Sequence, residues 1–307
     1  MPLDCHPQGL YEPIRYVLSL GGKRIRPVLM LMAYDLYKDD VHSIIDTAVA
    51  IETYHNFTLL HDDLMDRADV RRGKPCVHKK WDDNTAILSG DAMTVLAFQL
   101  MTHAHDRHLG KVLELFAKTA LEISEGQQYD MDFEKRNDVT AAEYIEMIRL
   151  KTSVLLACAL KLGAIQADAD PEDTEQLYQF GEQLGLAFQL QDDLLDVYGN
   201  FQSFGKKIGG DILCNKKTFL LIQALNHATP YQRHQLEEWL QRTDAEPEEK
   251  ITAVTRLYNE IGVRDMTEKR ISHYFDTALK HLDKVNLPTS RKQPLRDLAL
   301  SLLNRQS

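Results

Sequence analysis

Two short clusters of aspartates have the residue types and the spacing of a metal-binding site. The segments Asp62–Asp66 and Asp192–Asp196 both follow the pattern Asp-Asp-x-x-Asp. On a helix, side chains four residues apart lie on the same face, so each segment directs two or three carboxylates to one side. A hard divalent cation relieves their repulsion most directly, and Mg²⁺ is usually completed by waters and phosphate oxygens. Two such clusters facing each other would hold a diphosphate through bridging Mg²⁺.

A solvated helix end is the plain alternative for a single cluster of this kind. Here, however, each cluster follows an apolar segment, Phe57–Leu60 in one case and Leu186–Leu190 in the other. The repetition in the same context favours metal binding over a surface-charge interpretation.

Basic residues lie close to the first cluster at positions suited to binding an anion. Arg71 and Arg72 follow Asp66 by five and six residues, and arginine binds phosphate through paired N–H groups. The segment Gly21–Pro27 reads Gly-Gly-Lys-Arg-Ile-Arg-Pro. It precedes an expected helix, whose first N–H groups also attract anions.

Helical spacing of apolar residues dominates the chain, and runs with the two-residue period of strands are absent. Thr140–Glu143 is a capping box, and Pro171 and Pro230 stand at expected first positions of helices. We predict a single all-α domain over residues 1–307. The predicted helices are 24–38, 41–66, 83–104, 110–134, 140–167, 171–198, 215–228, 230–241, 247–261, 263–284 and 292–304.

The composition is that of a globular protein that does not bind nucleic acid. Its apolar content of 44% is sufficient for a full core, and a formal net charge of −10 opposes binding to a polyanionic backbone. The four cysteines are far apart and form no CxxC pair, which predicts reduced thiols. No signal peptide or membrane-spanning stretch is recognisable. We therefore expect a cytoplasmic protein without stable membrane insertion.

The chain resembles the trans-isoprenyl diphosphate synthases, the family of farnesyl and geranylgeranyl diphosphate synthases. The resemblance rests on the order, spacing and number of motifs in residues 21–217, with residues 1–20 as a short lead-in. It implies the isoprenoid synthase fold, an all-α bundle of ten or more helices around a central apolar cavity, and a homodimer. The family usually has a fuller first helix before the Gly-Gly-Lys motif.

The resemblance also implies roles for individual residues. The ligands of up to three Mg²⁺ ions on the allylic diphosphate would be Asp62, Asp63, Asp66, Asp192, Asp193 and Asp196. The residues that bind isopentenyl diphosphate would be Lys23, Arg26, His55 and Arg72. Further phosphate-binding residues would be Arg71, Lys151, Lys206 and Lys216. Residues near the developing cation or supporting the site would be Thr152, Gln189, Gln127 and Asp130.

The implied reaction is a Mg²⁺-dependent head-to-tail condensation. Isopentenyl diphosphate would react with dimethylallyl, geranyl or farnesyl diphosphate. Arg71, Lys151 and Lys206 would stabilise negative charge on the departing diphosphate. Thr152 and Gln189 would turn oxygen dipoles toward the allylic cation, while apolar walls exclude water. The released diphosphate would accept the final proton.

Product length would be set by side chains that block the apolar tunnel below the first cluster. Phe57 lies roughly 7–8 Å along the helix from Asp62, and Tyr54 and Ile51 continue the same row. Phe57 followed by Thr58 resembles geranylgeranyl synthases more than animal-type farnesyl synthases. We expect an all-trans C20 product, with C15 as the alternative. Phe57 could also be an ordinary core aromatic.

Other protein classes remain as alternatives. A class I terpene cyclase shares the all-α cavity, but it normally has a mixed Asn/Ser/Glu motif instead of a second aspartate cluster. Head-to-head squalene-type synthases are disfavoured on similar grounds. A non-catalytic partner subunit would normally have lost metal carboxylates.

Several single residues also have plainer interpretations. His55 could be a core or surface histidine, and Lys151 could extend its ammonium group to solvent. Asp211 could cap the following helix, and Lys207 could take the role of Lys206.

Overall fold

The computed structural model shows an almost entirely α-helical protein, as predicted. The structure describes residues 5–199 and 208–303. Their α-helices are α1 (Gln8–Ser19), α2 (Ile25–Asp35), α3 (Ile45–Met65), α4 (Val77–Lys80), α5 (Asp83–Met101), α6 (Asp106–Glu134), α7 (Ala141–Ile148), α8 (Val154–Gln166), α9 (Pro171–Tyr198), α10 (Gly210–Leu213), α11 (Phe219–His227), α12 (Pro230–Gln241), α13 (Pro247–Ile261), α14 (Val263–Lys284) and α15 (Thr289–Leu303). The other elements are a 3₁₀ turn (Val41–Ile44), a π-helical turn (Arg149–Ser153) and the strands β1 (Val70–Arg71) and β2 (Lys74–Pro75).

Contacts within the chain group it into two compact units, each built from separate stretches of sequence. Within the described chain, the first unit comprises residues 5–117 and 159–174, and the second comprises 118–158, 175–199 and 208–303. Helices α6, α8 and α9 therefore contribute residues to both units. The single domain over residues 1–307 stays a prediction.

The ends of the helices follow the local signals in the sequence. Thr140 Oγ1 accepts a hydrogen bond from the backbone N–H of Glu143 (3.2 Å), and the Glu143 carboxylate accepts one from the N–H of Thr140 (2.8 Å). This is the predicted capping box. Pro171 and Pro230 begin α9 and α12. At the first position of a helix the backbone N–H has no partner within the helix, so the N–H that proline lacks is not needed there.

Helix α1 (Gln8–Ser19) departs from the prediction, which placed no helix before residue 24. Pro13 lies inside it, and proline normally interrupts a helix. The helix forms because Ile14 and Val17, 0% and 5% exposed, are buried in an apolar cluster that includes Leu60. Tertiary burial therefore outweighs the local signal.

The antiparallel hairpin of β1 and β2 was also not predicted. Arg71 pairs with Lys74 across the turn. The two turn residues, Arg72 and Gly73, have φ angles of 53° and 73°, the left-handed pair that a tight hairpin turn requires. Arginine rarely adopts this conformation, so the sequence carries no recognisable turn signal.

Each unit has an apolar core of its own. In the first unit, a cluster on α1, α3 and α5 includes Ile14, Leu60 and Met93. In the second unit, a larger cluster includes Phe219 and Leu257, together with residues of α7, α9 and α14. Across the described part of the chain, no helix is both long enough and apolar enough to cross a bilayer.

Candidate active site

The first aspartate cluster lies at the end of α3. The helix ends at Met65, and the N–H of Asp66 still donates to the carbonyl oxygen of Asp62 at 2.8 Å. Asp62 is half-buried and Asp66 is exposed, whereas Asp63 is only 4% exposed. Asp62 and Asp66 thus share a face, as predicted, and Asp63 is turned into the protein.

Arg71 neutralises Asp63 through two parallel hydrogen bonds. Its Nε and Nη2 donate to the two carboxylate oxygens, both at 2.7 Å. A metal ion or phosphate that uses Asp63 or Arg71 must therefore compete with this ion pair. Asp63 also acts on the neighbouring Cys76: burial, and then the charge of Asp63, raise the pKa of the Cys76 thiol to about 12, so this thiol stays protonated.

A group of cations surrounds the Gly-Gly-Lys turn in the same unit. Arg26 Nη1 lies 3.1 Å from His55 Nε2, and Arg72 Nη1 donates to the carbonyl oxygen of Gly21. A β-carbon on Gly22 would stand 2.7 Å from Nη2 of Arg72. The guanidinium could move aside, but Gly22 also has a φ of 128°, a backbone conformation that favours glycine.

The charges of this cation cluster make it suitable for an anion. Burial lowers the pKa of Arg26 to about 10, although Glu52 opposes the effect. Burial, and then the charges of Arg26 and Arg72, lower the pKa of His55 well below its usual value, so His55 is neutral at neutral pH. The pKa of Arg72 is likewise lowered by burial and by neighbouring arginines. A bound diphosphate would relieve this repulsion.

Arg24 fastens the turn to α3 rather than pointing to a ligand. Its Nη1 forms an ion pair with Glu52, and its Nη2 donates to the carbonyl oxygen of Leu18 at 2.8 Å. Asn56 Nδ2 donates to the same Glu52 oxygen at 2.9 Å, and Glu52 is 9% exposed. Lys23, next to this clamp, is exposed.

The residues predicted to limit product length are not equally buried. Ile51 and Tyr54 are 0% and 2% exposed, as core residues are. Phe57 and Thr58 are half-buried. The rings of Phe57 and Tyr54 meet edge to face with centroids 5.3 Å apart, and Thr58 Oγ1 donates to the carbonyl oxygen of His55 at 2.9 Å. Phe57 is therefore the aromatic of the row with accessible surface.

In the second unit, the π-helical turn Arg149–Ser153 carries Lys151 and Thr152. Lys151 Nζ donates to Asp130 Oδ2 at 2.7 Å. Thr152 Oγ1 donates to Gln189 Oε1 at 3.1 Å. Two consecutive residues thus reach partners on two different helices, as often occurs where a π-turn re-aims side chains at a functional site.

Two glycines make room for this π-turn. A β-carbon on Gly126 of α6 would overlap the backbone nitrogen of Lys151, and one on Gly185 of α9 would stand 2.6 Å from Cα of Ser153. Both obstacles are backbone atoms, which cannot rotate aside. Gln127, beside the first glycine, is half-buried.

Asp193 is the buried member of the second cluster, 3% exposed. Its oxygens accept hydrogen bonds from the Tyr144 hydroxyl and from Gln189 Nε2, the latter at 3.1 Å. Burial, and then the charge of Asp211, raise the pKa of Asp193 to about 7, while Lys216 acts in the opposite direction. Burial therefore disfavours the charged form of Asp193, and an additional nearby cation would favour it.

Asp196 holds the backbone that leads into α10. Its Oδ2 accepts the N–H of Asp211 at 2.9 Å, and its carbonyl oxygen accepts the N–H of Gly209 at 2.6 Å. Gly209, with a φ of 83°, occupies the N-cap position of α10. Thr218 occupies that of the following helix, α11, so Asp211 caps neither helix. Asp192, at the start of the cluster, is half-buried.

The lysines after the second cluster are described only in part. Lys216 is exposed. Burial alone would raise the pKa of Asp130, but Lys151 and then Lys216 outweigh it and lower that pKa. Lys206 and its alternative Lys207 lie outside the described residues, and their roles stay predictions.

The donor atoms fit divalent cations that other ligands complete. Within residues 5–199 and 208–303, no three acidic, histidine or cysteine side chains are already placed to hold a metal ion, so the predicted convergence of three carboxylates is not preformed. Asp62 and Asp192 are half-buried, each beside a buried aspartate, and burial raises the pKa of Asp193. Mg²⁺ keeps waters and takes phosphate oxygens, which suits this incomplete set. That both clusters act on one diphosphate stays a prediction.

Comparison with known protein families decides the identity. The sequence model of the family described as polyprenyl synthetase matches residues 7–258. The chain belongs to the polyprenyl synthetase family.

Individual polyprenyl synthetases are similar over nearly the whole chain. The geranylgeranyl diphosphate synthase of Methanosarcina mazei is 38% identical over 279 residues, which cover 90% of this chain and 84% of that protein. A crystal structure of a geranylgeranyl pyrophosphate synthase is 44% identical, with a TM-score of 0.94, over 98% of this chain and 93% of the other. The crystal structure of a geranylgeranyl pyrophosphate synthase from Corynebacterium glutamicum, in complex with isoprenyl diphosphate and magnesium, is 29% identical. Its TM-score is 0.86, and the match covers 96% of this chain and 90% of the other. The predicted family and the isoprenoid synthase fold are confirmed.

Some residues of this polyprenyl synthetase site were not singled out by the sequence analysis. Glu52 had a usable signal, because it is a lone acid in the apolar run Ala48–Tyr54. Tyr144 and Gly185 had none, since their roles depend on residues distant in sequence. The site therefore includes supporting groups that motif spacing does not reveal.

Proposed function

We propose that this polyprenyl synthetase condenses isopentenyl diphosphate head to tail with an allylic diphosphate, in a Mg²⁺-dependent reaction that yields an all-trans C20 prenyl diphosphate. One observation carries the proposal: the chain has both acidic clusters suited to a metal-bound diphosphate and a separate cation cluster suited to a metal-free one. A cyclase, which takes a single diphosphate, has no use for the second site. We further propose that the enzyme works in the cytoplasm, a compartment in which its four free cysteines would stay reduced.

The cation cluster at the Gly-Gly-Lys turn is the proposed site for isopentenyl diphosphate. Arg26 and Arg72 offer charged N–H groups to phosphate oxygens, and exposed Lys23 adds a mobile charge. His55 is neutral, because its pKa is low, so it acts as a hydrogen-bonding ring beside Arg26 rather than as a cation. The clamp of Arg24 on Glu52 keeps the turn in place before substrate arrives.

The acidic clusters are the proposed site for dimethylallyl, geranyl or farnesyl diphosphate. When bound, Mg²⁺ would supply positive charge that stabilises the departing diphosphate. Asp62, Asp66 and Asp192 would hold the ions with the buried aspartates beside them. Arg71 and Lys151, each now paired with a carboxylate, would exchange part of that pairing for the phosphate oxygens.

Thr152 and Gln189 are placed to stabilise a nearby cation by their dipoles. Gln189 donates through Nε2 to Asp193 and accepts through Oε1 from Thr152, which fixes the orientation of its amide. Thr152 donates its only hydroxyl proton to Gln189, so its oxygen lone pairs remain available to positive charge. Removal of either group would leave the other wrongly oriented.

The direct test supplies isopentenyl diphosphate and Mg²⁺ with each allylic primer in turn, followed by chromatography of the products. We expect C20 prenyl diphosphate from all three primers, and no product after chelation of the metal. Cyclic hydrocarbons would instead identify a cyclase. No conversion of any primer would identify a non-catalytic partner subunit.

Phe57→Ala is expected to lengthen the product by at least one isoprene unit. The change removes the accessible aromatic of the row while Tyr54 and Ile51 remain buried in the core. Chromatography of the dephosphorylated products measures the shift. Leu59→Ala is the matched control, because Leu59 is half-buried on the same helix but faces another direction. An unchanged product would leave Phe57 as an ordinary packing residue.

We propose that the enzyme is a homodimer that buries one face of α5. Leu88 and Val95 are 60% and 67% exposed and lie seven residues apart on the same side of the helix. Leu88→Glu combined with Val95→Glu should convert the dimer to a monomer in size-exclusion chromatography with light scattering. Tyr231→Glu, at a 70% exposed residue of α12, should leave the dimer intact. A monomeric wild type, or a double variant that stays dimeric, would contradict this face.

A further inference from the structure

The imidazole of His61 fills the space between Phe57 and the backbone of α5. Its Nε2 lies 3.2 Å from the carbonyl oxygen of Ile87. Its ring meets the ring of Phe57 edge to face, with centroids 4.8 Å apart and an interplanar angle of 70°. A β-carbon on Gly90 would overlap this imidazole. In its present position, the imidazole therefore leaves no room for a side chain at residue 90.

Phe57 has a second ring on another side, and the two rings together fix its orientation. Tyr54 packs edge to face against it at 5.3 Å. Tyr54 in turn packs against Phe116 at 5.2 Å, and both residues are at most 2% exposed. The Tyr54 side is thus anchored in the core. On its other side, the Phe57 ring contacts the half-buried imidazole of His61. That imidazole in turn contacts α5.

We propose that His61 and Gly90 are specificity-determining residues that set product length through the position of Phe57. The proposal rests on the proposed function, in which Phe57 limits the growing chain. Neither residue binds diphosphate or metal in that function. Loss of the imidazole would let the Phe57 ring turn into the vacated space. A methyl group at residue 90 would push the imidazole toward Phe57.

These opposite displacements predict opposite changes in product length. In His61→Ala, the ratio of the product one isoprene unit longer to the wild-type product should rise about ten-fold, the scale of a single-step difference in an apolar pocket. In Gly90→Ala, the same ratio should fall, with shorter products accumulating. The double variant should behave like His61→Ala, because no imidazole remains to be displaced. Such non-additivity is the mark of two residues that act through one contact.

Further measurements separate this role from general structural damage. His61→Phe keeps a ring against Phe57, so the longer product should not accumulate as it does in His61→Ala. The KM for isopentenyl diphosphate and the Mg²⁺ dependence should be unchanged in His61→Ala. Gly110→Ala is the control for glycine replacement, because a β-carbon there meets no atom within 4 Å.

The outcomes also separate this proposal from the proposed function. A wild type that makes no prenyl diphosphate would refute the function itself. An active wild type with the same product ratio in His61→Ala would refute the role of His61 alone. That comparison stands even if Gly90→Ala does not fold.

Discussion

Asp63→Ala is expected to lower kcat by about 10³-fold, the scale of several kcal/mol of lost charge stabilisation in the transition state. The change removes a proposed metal carboxylate. It also takes away both acceptors of Arg71, whose Nε and Nη2 each lie 2.7 Å from an Asp63 oxygen. Steady-state kinetics with saturating substrates would measure the loss.

Asp63→Asn and Asp69→Asn refine the interpretation of this loss. The first keeps the shape of the side chain but removes its charge, so a higher Mg²⁺ concentration should restore part of the rate if Asp63 binds metal. Asp69 is 81% exposed and pairs with Lys79 at 2.9 Å, so its replacement should leave kcat near the wild-type value. A slow Asp63→Asn enzyme with unaltered Mg²⁺ dependence would restrict Asp63 to positioning Arg71.

The helices were predictable wherever the local signals and the tertiary packing agree. Helix α9 (Pro171–Tyr198) has a proline start and continuous apolar spacing, and it lies where it was predicted. The interval 140–167 was predicted as one helix, but it contains the π-turn Arg149–Ser153. The apolar period runs through that turn without a break. The room for the turn comes from Gly126 and Gly185, on other helices, which no local pattern can reveal.

The identities of the candidate site residues were predictable, but their contacts were not. Motif spacing singles out Asp63 and Arg71, yet it cannot tell whether each waits for a ligand or binds the other. The structure shows that they bind each other. Similarly, Arg24 was one of three cations in a motif, and only its contact with buried Glu52 shows that it fastens the turn. Such pairings depend on distances between segments, which spacing along the chain does not fix.

Gly185→Ala is expected to lower kcat by about 10²-fold, because a displacement of about 1 Å at a reacting centre has that effect. Its β-carbon would stand 2.6 Å from Cα of Ser153, so the π-turn must move. Lys151 and Thr152 would move with it and lose their alignment with Asp130 and Gln189. The KM for isopentenyl diphosphate should stay the same, because the proposed residues of that site are not on this turn.

The measurements for Gly185→Ala must distinguish misalignment from unfolding. Overpacking of this kind costs about 1–3 kcal/mol of stability, so the kinetics are run well below the unfolding temperature found by circular dichroism. Gly126→Ala should act similarly, since its β-carbon would overlap the backbone of Lys151. Gly110→Ala, inside α6 and without a clash, should leave kcat unchanged and raise stability by about 0.5–1 kcal/mol. A folded Gly185→Ala enzyme with wild-type kcat would show that the π-turn tolerates displacement. The alignment of Lys151 and Thr152 would then not affect the rate. Electrostatic stabilisation would have to come from Arg71 and from the ions held by the aspartate clusters.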